Sequence, residues 1–151
     1  MRALIQRVKH ASVTIDGVVK SSIEKGLLVF VGFAEGDTEG LIEPIAKKLS
    51  GLRIFEDENE KMNLSVSDVD GEILVVSQFT LYADCKKGKR PSFTNAMAPS
   101  LANEYYEKFV KLLESITEKE VKTGEFGADM KVELLNDGPV TIVLDSDEIV
   151  K

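Results

Sequence analysis

The chain contains one histidine, one cysteine and no tryptophan in 151 residues. A zinc site of the common His/Cys types needs several such ligands, so one subunit cannot build one, and no metal is expected. The lone thiol, Cys85, can form no internal disulfide, and its polar loop suits a reducing compartment. A Ser-His-Asp triad would have to use His10. That residue sits in the alternating run Val8-Lys9-His10-Ala11-Ser12-Val13, which favours a surface or hydrogen-bonded strand histidine over a catalytic one. Any catalysis therefore falls to hydroxyls, backbone dipoles, carboxylates or a group that the substrate brings.

Long apolar runs are missing too. No segment approaches the roughly 20 apolar residues needed to cross a bilayer, so no membrane association is expected. Residues 1 to 15 alternate polar and apolar side chains instead of setting an apolar block behind a basic head, which is not a signal-peptide pattern. The cytosol is the expected location. With four prolines, no low-complexity run, 43% hydrophobic and 30% charged residues, the composition is that of an ordered globular protein. Its length fits one domain over residues 1–151. A net charge of −7 argues against non-specific coating of nucleic acid, and DNA is not an expected partner. One basic cluster stands out, Lys86-Lys87-Gly88-Lys89-Arg90. Alone it reads as a solvated loop, but it leaves room for a local phosphate contact.

What is present is a sequence of short periodic segments. Residues 3 to 15 alternate as a half-buried strand, and Asp16-Gly17 supplies a hairpin turn before Val18-Val19. Leu27 to Phe33 is continuously apolar and predicts a central strand buried on both faces. Leu41, Ile42, Ile45, Ala46 and Leu49 define a helical face, with Asp37 or Thr38 as N-cap and Gly51 as stop. Arg53-Ile54-Phe55 starts a short strand, residues 57 to 71 are turn-rich, and Ile73 to Phe79 is again a strand pattern. A second helix is predicted from about Ser100 to Ile116, behind Pro99. Met130 to Leu135 and Val140 to Leu144 read as two final strands separated by Asn136-Asp137-Gly138-Pro139. The pattern predicts an α+β fold with a mixed, largely antiparallel sheet or pseudo-barrel and two main helices on one face.

Two segments carry chemistry. Ser77-Gln78-Phe79-Thr80-Leu81 lies where a buried strand runs out towards the basic loop, a place where a rigid scaffold presents side chains to a ligand. Ser77 and Thr80 offer hydroxyls, Gln78 an amide that donates and accepts, and Phe79 a flat apolar wall. Strand-end polar residues can equally be structural. In Asn136-Asp137-Gly138-Pro139-Val140-Thr141 the proline can be a simple turn. Alternatively a Gly-Pro bond can be cis at modest cost, which turns its flanking carbonyls the same way and makes a receptor for an ammonium group.

Together, SQFTL at 77 to 81 and NDGPVT at 136 to 141 resemble the paired signatures of the D-aminoacyl-tRNA deacylase family. MRALIQRVKHASVTIDG, GLRIFEDENEKMNLSV, GKRPSF and TGEFGADMKVELLNDGPVT are similar to it as well, so the resemblance covers essentially the whole chain. It implies a cofactor-free hydrolase that cleaves D-aminoacyl-tRNA, and glycine mischarged on tRNA-Ala, while rejecting L-amino acids. It also implies a homodimer with active sites at the subunit interface. Ser77, Gln78, Phe79 and Thr80 would form the catalytic pocket for the terminal adenosine and the ester. Gly138-Pro139 of the partner subunit would hold the substrate α-amino group as a cis dipeptide. Arg7 would brace that loop, and Phe126 and Met130 would line the site. Lys86, Lys87, Lys89 and Arg90 would contact the aminoacyl-tRNA acceptor end.

Two chemical steps fit this resemblance. Thr80 could be the nucleophile, but an alcohol needs a nearby base and no histidine offers itself. The favoured alternative uses the 2′-hydroxyl of the tRNA terminal ribose, with backbone N–H groups near Phe79 and Thr80 stabilising the oxyanion. Two other functions stay open: an editing deacylase with relaxed chirality acting on L-alanyl-tRNA, and a non-enzymatic tRNA-binding module that uses the basic loop.

Overall fold

The alternation of the first residues becomes a 14-residue strand, Arg2–Ile15 (β1), in a computed structural model that describes residues 1–150. Asp16 and Gly17 follow at φ of 50° and 78°, the pair of left-handed conformations that a two-residue hairpin requires. They return the chain as Val18–Ile23 (β2), antiparallel to β1. Gly26–Gly32 (β3) is followed by Ile42–Gly51 (α1), the short strands Phe55–Glu56 (β4) and Met62–Leu64 (β5), and Glu72–Ser77 (β6). Pro99–Thr117 (α2), Lys122–Thr123 (β7), Lys131–Asp145 (β8) and Ser146–Ile149 (α3) complete the order.

The main sheet runs β2-β1-β3-β6-β7, with β8 on β1 as well. β3 is therefore internal, antiparallel to β1 and parallel to β6. Its continuous apolar sequence follows from burial on both faces. Leu27, Val29 and Val31 join Ala3, Ile5, Ile73 and Val75 in the cluster that α1 and α2 cover. Leu28 lies in a second cluster with Val8, Ala11, Val13, Leu74 and Val76, where Val132 and Leu134 of β8 pack in. β8 pairs along nearly the whole of β1, so the sheet curls towards closure around that second cluster. This is the mixed α+β sheet that the patterning predicts.

α2 shows how sequence becomes packing. Pro99 occupies its first turn, where a missing N–H costs nothing. Ala102, Tyr106, Phe109 and Leu113 then recur at three or four residues and are the helix's buried positions. Phe109 and Leu113 are fully buried, each contributing roughly 2 kcal/mol of apolar burial. The Tyr106 hydroxyl donates to the Val75 carbonyl at 2.7 Å and fixes the helix against β6. Among the described residues, no helix is long and apolar enough to cross a membrane.

Three expectations about local structure are corrected, the first being that the strand expected over Ile73 to Phe79 ends at Ser77, with Phe79 already in a 3-10 turn. Neither Asp37 nor Thr38 caps the first helix: a 3-10 turn over Glu39–Leu41 precedes α1, and Thr38 makes no side-chain cap bond. Asp37 instead accepts the Met1 α-ammonium at 2.6 Å and the Ala34 N–H at 2.8 Å, because a charge-assisted bond is the stronger partner. The expected final pair of strands is one strand, β8, whose two halves both run antiparallel to β1. The Asn136 side chain explains why the chain does not reverse. Its Oδ1 accepts the Val140 N–H at 2.8 Å and its Nδ2 donates to the Val140 carbonyl at 3.2 Å. Asp137, Gly138 and Pro139 are thereby set out of the ladder as a bulge, matched by register shifts opposite Val8.

Candidate active site

β3 and β6 run parallel and end side by side, at Gly32 and Ser77. Beyond those ends the chain must leave the sheet, and the space between the departing segments is a cavity of about 560 Å³. A volume of that order suits a small-molecule moiety. Its walls come from Phe33 after β3, Ser77 at the end of β6 with Gln78 and Phe79 beyond it, Phe93 and Met97 on the segment leading to α2, Ala102 in α2, and Phe126 to Met130 before β8.

The turn after β6 is tightly specified. The Gln78 N–H donates to the Val31 carbonyl at 2.8 Å, and residues Phe79–Tyr82 then form a 3-10 turn. Gly32 permits this approach: a Cβ there would lie 2.7 Å from the Gln78 carbonyl oxygen, too close for any side chain. Ser77 and Gln78 are half-buried in the cavity wall, whereas Phe79 and Thr80 are exposed at its rim. The Gln78 amide donates to the Thr80 hydroxyl. Gln78 is thus the side-chain partner that Thr80 has here, and an amide is not a base.

Phe79 stacks edge-on against Phe93, their ring centroids 5.1 Å apart, and both rings are exposed beside the cavity. Phe93 also terminates the basic loop. Asp84 and Ser92 exchange backbone hydrogen bonds of 2.7 and 2.9 Å, closing residues 84 to 92 into a hairpin-like projection with Gly88 at φ 63°. Lys86, Lys87, Lys89 and Arg90 are all exposed on it. The densest positive charge of an acidic chain is therefore joined through one aromatic pair to the mouth of the cavity.

Of the residues singled out by sequence, the fold brings Ser77, Gln78, Phe79, Phe126 and Met130 together in the cavity wall, with Thr80 next to it. Gly138 and Pro139 do not line it. They are exposed on the β8 bulge, joined by a cis peptide bond. Arg7, by contrast, is buried, and reaches that bulge: Nε donates to the Asp137 carbonyl at 3.0 Å and Nη1 to the Ile54 carbonyl at 2.7 Å. Asp137 and Glu56 carboxylates stand 3.8 and 3.9 Å from the same guanidinium. His10 is exposed on β1, away from the cavity. Sequence reasoning missed Phe33, Phe93, Met97 and Ala102 as wall residues. For Phe93, its place next to the basic cluster was the one signal present. Phe33 falls in the run read as a buried strand, nothing in the sequence marks Met97 or Ala102, and the cavity forms only where distant segments meet. Among the described residues, no three His, Cys, Asp or Glu side chains gather as a metal-ligand set.

The molecule is thus an α+β domain with a curled mixed sheet and a largely apolar cavity at the ends of its parallel strand pair. The family model described as D-Tyr-tRNA(Tyr) deacylase matches residues 4–145. A D-aminoacyl-tRNA deacylase of Bacteroides fragilis is 58% identical over 146 residues, 97% of each chain. That of Halothermothrix orenii is 57% identical over 148 residues, 98% of this chain and 99% of its own. Among solved structures, the c-Myc DNA Unwinding Element Binding Protein superposes with a TM-score of 0.90 at 43% identity, covering 96% of this chain and 98% of that one. A second, described as a "probable eukaryotic D-amino acid tRNA deacylase", has a TM-score of 0.82 at 17% identity and covers 95% and 97%, a likeness of fold alone. The chain belongs to the D-Tyr-tRNA(Tyr) deacylase family.

Proposed function

We propose that this chain is a chiral proofreading hydrolase, acting as one deacylase domain on D-aminoacyl-tRNA and on glycine mischarged on tRNA-Ala. The observation that carries the reading is the cavity: Ser77, Gln78 and Phe79 meet Phe126 and Met130 around it, in a chain that matches the family over nearly its full length. The charge layout is consistent with it. A basic hairpin beside the cavity mouth gives the phosphates of an acceptor end a landing place in a protein of net charge −7.

In this reading the terminal adenosine and the ester enter the cavity of one subunit. Gly138-Pro139 of a second copy, exposed on a bulge that Arg7 anchors, faces the aminoacyl group. Main-chain carbonyls of that bulge hold the α-ammonium. A D side chain or a glycine hydrogen then points outward, while an L side chain strikes the Gly-Pro wall and forfeits the charge-assisted bonds. Water adds to the ester carbonyl carbon, the bond to the ribose 3′-oxygen breaks, and the products are a free amino acid and tRNA with its hydroxyl restored. The 2′-hydroxyl assists this attack. Free N–H groups at the start of the 79–82 turn receive the developing oxyanion, since the first residues of a helical turn have no internal acceptor partners for their donors.

D-tyrosyl-tRNA and L-tyrosyl-tRNA offered side by side test the reading. Catalytic amounts of protein should release free D-tyrosine and leave the L ester intact. Equal release of both, or release of L-alanine from L-alanyl-tRNA, would mark a relaxed editing enzyme. Salt-sensitive retention of tRNA with no ester turnover would mark a binding module.

A further inference from the structure

The 79–82 turn is clasped from outside the cavity by Arg2, a residue of the N-terminal strand to which no role has been given above. Arg2 stands at the first position of β1, opposite Gly32 of β3 on one side and Asp145 of β8 on the other. Its Nε donates to Asp145 Oδ2 at 2.9 Å. Its Nη1 donates to the Leu81 carbonyl at 2.8 Å. The same guanidinium lies 4.5 Å from the centroid of the Tyr82 ring, in cation–π range. One planar group therefore ties the last strand to the carbonyl of one turn residue and the ring of the next.

We propose that Arg2 is a positioning residue for the deacylation reaction, holding the turn that carries Phe79 and Thr80 at a fixed height above Gly32. The inference rests on the function proposed above. Two hands grip the turn. From the cavity side, Gln78 is bonded to Val31 and presses on Gly32, where no Cβ fits. From the other side, only Arg2 reaches the Leu81 carbonyl with a side-chain donor among the described residues. Asp145 fixes the direction of the fork. Its other oxygen, Oδ1, accepts the Asp147 N–H at 2.9 Å and caps α3, so the carboxylate is itself held in place. A bidentate donor on a rigid plane suits this task and an ammonium does not, because a lysine cannot address both acceptors from one fixed geometry.

A stabilising role alone does not explain the arrangement. The Arg2 side chain is 39% exposed, and ion pairs at that exposure contribute little to folding. The consequence of the clasp should instead be local. If the backbone of Phe79 and Thr80 shifts by a fraction of an ångström, donors aimed at the developing oxyanion lose their alignment, and a small misplacement of this kind is costly in rate.

The test uses R2A, R2K and D145N, the last of which keeps the α3 cap through its amide oxygen. Single-turnover deacylation of D-tyrosyl-tRNA, KM, urea midpoint and amide hydrogen exchange are measured on each. R2A is expected to lower the single-turnover rate constant about tenfold while KM stays within about twofold. The Leu81 and Ala83 amides, which bond to Gln78 and Thr80 carbonyls, should exchange faster in R2A, with the strands unaffected. R2K should recover only part of the rate, and D145N should fall between R2A and wild type. An R2A protein with wild-type rate and wild-type exchange in the turn overturns the proposal. So does a loss expressed wholly in KM with an altered salt slope, which would make Arg2 a phosphate contact, or faster exchange spread over β1 and β8, which would make it a structural residue. Should R2A not fold, the same exchange and rate measurements on R2K and D145N decide. If the wild-type protein releases no D-amino acid, the functional reading fails, while the exchange arm still reports whether Arg2 holds the turn.

Discussion

Arg7 and Asp137 are joined across β1 and β8 by a hydrogen bond of 3.0 Å from the guanidinium Nε to the carbonyl that immediately precedes Gly138. Arg7 is only 4% exposed, and its Nη1 is bonded to the Ile54 carbonyl as well. Replacing it by methionine keeps much of the volume but leaves two carbonyls without a donor. The bond to Ile54 is buried and that to Asp137 only partly so; an unsatisfied buried acceptor costs on the order of 1–3 kcal/mol, so Arg7→Met should lose roughly 2 kcal/mol of stability. Urea unfolding measures this. A loss below about 0.5 kcal/mol, the range of a neutral surface change, would show that the anchor contributes nothing. Deacylation by the folded fraction should drop too, because the 137–139 bulge is then held less firmly.

The contrast between Arg7 and the bulge it anchors shows what was legible in the sequence. Strands and helices with clear periodicity were readable: Leu27 to Phe33 as a central strand, Ser100 to Ile116 as a helix that in fact runs Pro99–Thr117. The cap of the first helix was not, because Asp37 is claimed by the Met1 ammonium, a partner 36 residues away. Nor was the continuity of β8, since Asn136 and Pro139 carry turn chemistry locally and only the pairing with β1 overrides it. For the site, motif residues 77 to 80 point to the cavity through their place at a strand end. Phe33, Met97 and Ala102 carry no such mark, because their position in the wall is a product of tertiary packing. Arg2 sits in the N-terminal segment that resembles the family, but its contacts to Asp145 and Leu81 span 143 and 79 residues and carry no local mark.

Thr80 has a hydrogen-bond partner in Gln78, and an amide cannot take its proton. As a positioning group its hydroxyl is worth about one neutral hydrogen bond, so Thr80→Ala should slow deacylation about five- to tenfold without abolishing it. A substrate lacking the terminal 2′-hydroxyl should lose far more. Single-turnover assays of both separate the two chemical steps. A dead Thr80→Ala enzyme alongside a deoxy substrate that still turns over would make Thr80 the nucleophile.

The basic hairpin offers four exposed cations, Lys86, Lys87, Lys89 and Arg90. With all four replaced by alanine, tRNA affinity should fall and the slope of log K against log salt should flatten by up to about 3, at about 0.7 for each single-strand phosphate that is no longer neutralised. Titrations at several salt concentrations read this directly. The D/L preference should not move, because the hairpin's cations do not line the cavity. An unchanged slope removes the hairpin from the tRNA path.

The separation of Gly138-Pro139 from the cavity of its own chain leads to the last prediction, that each active site is shared between two subunits. The two groups lie apart within one chain: the cavity is walled by Ser77, Gln78 and Phe79, and the dipeptide stands exposed on a bulge that does not contribute to that wall. A twofold dimer would give two equivalent composite sites. Let one subunit type carry a disabling Gln78 substitution and another a disabling Pro139 substitution, each inactive as a homodimer. In a mixed dimer with shared sites, one site combines both defects, while the other receives an intact cavity from one chain and an intact Gly-Pro from its partner. Up to half of the wild-type activity on D-aminoacyl-tRNA then returns. With sites confined to single chains, every site keeps one defect and nothing returns. Mixed dimers isolated through two different affinity tags and verified by mass give the answer: recovery approaching half places the dipeptide in the partner's site, and inactive mixed dimers place it in its own.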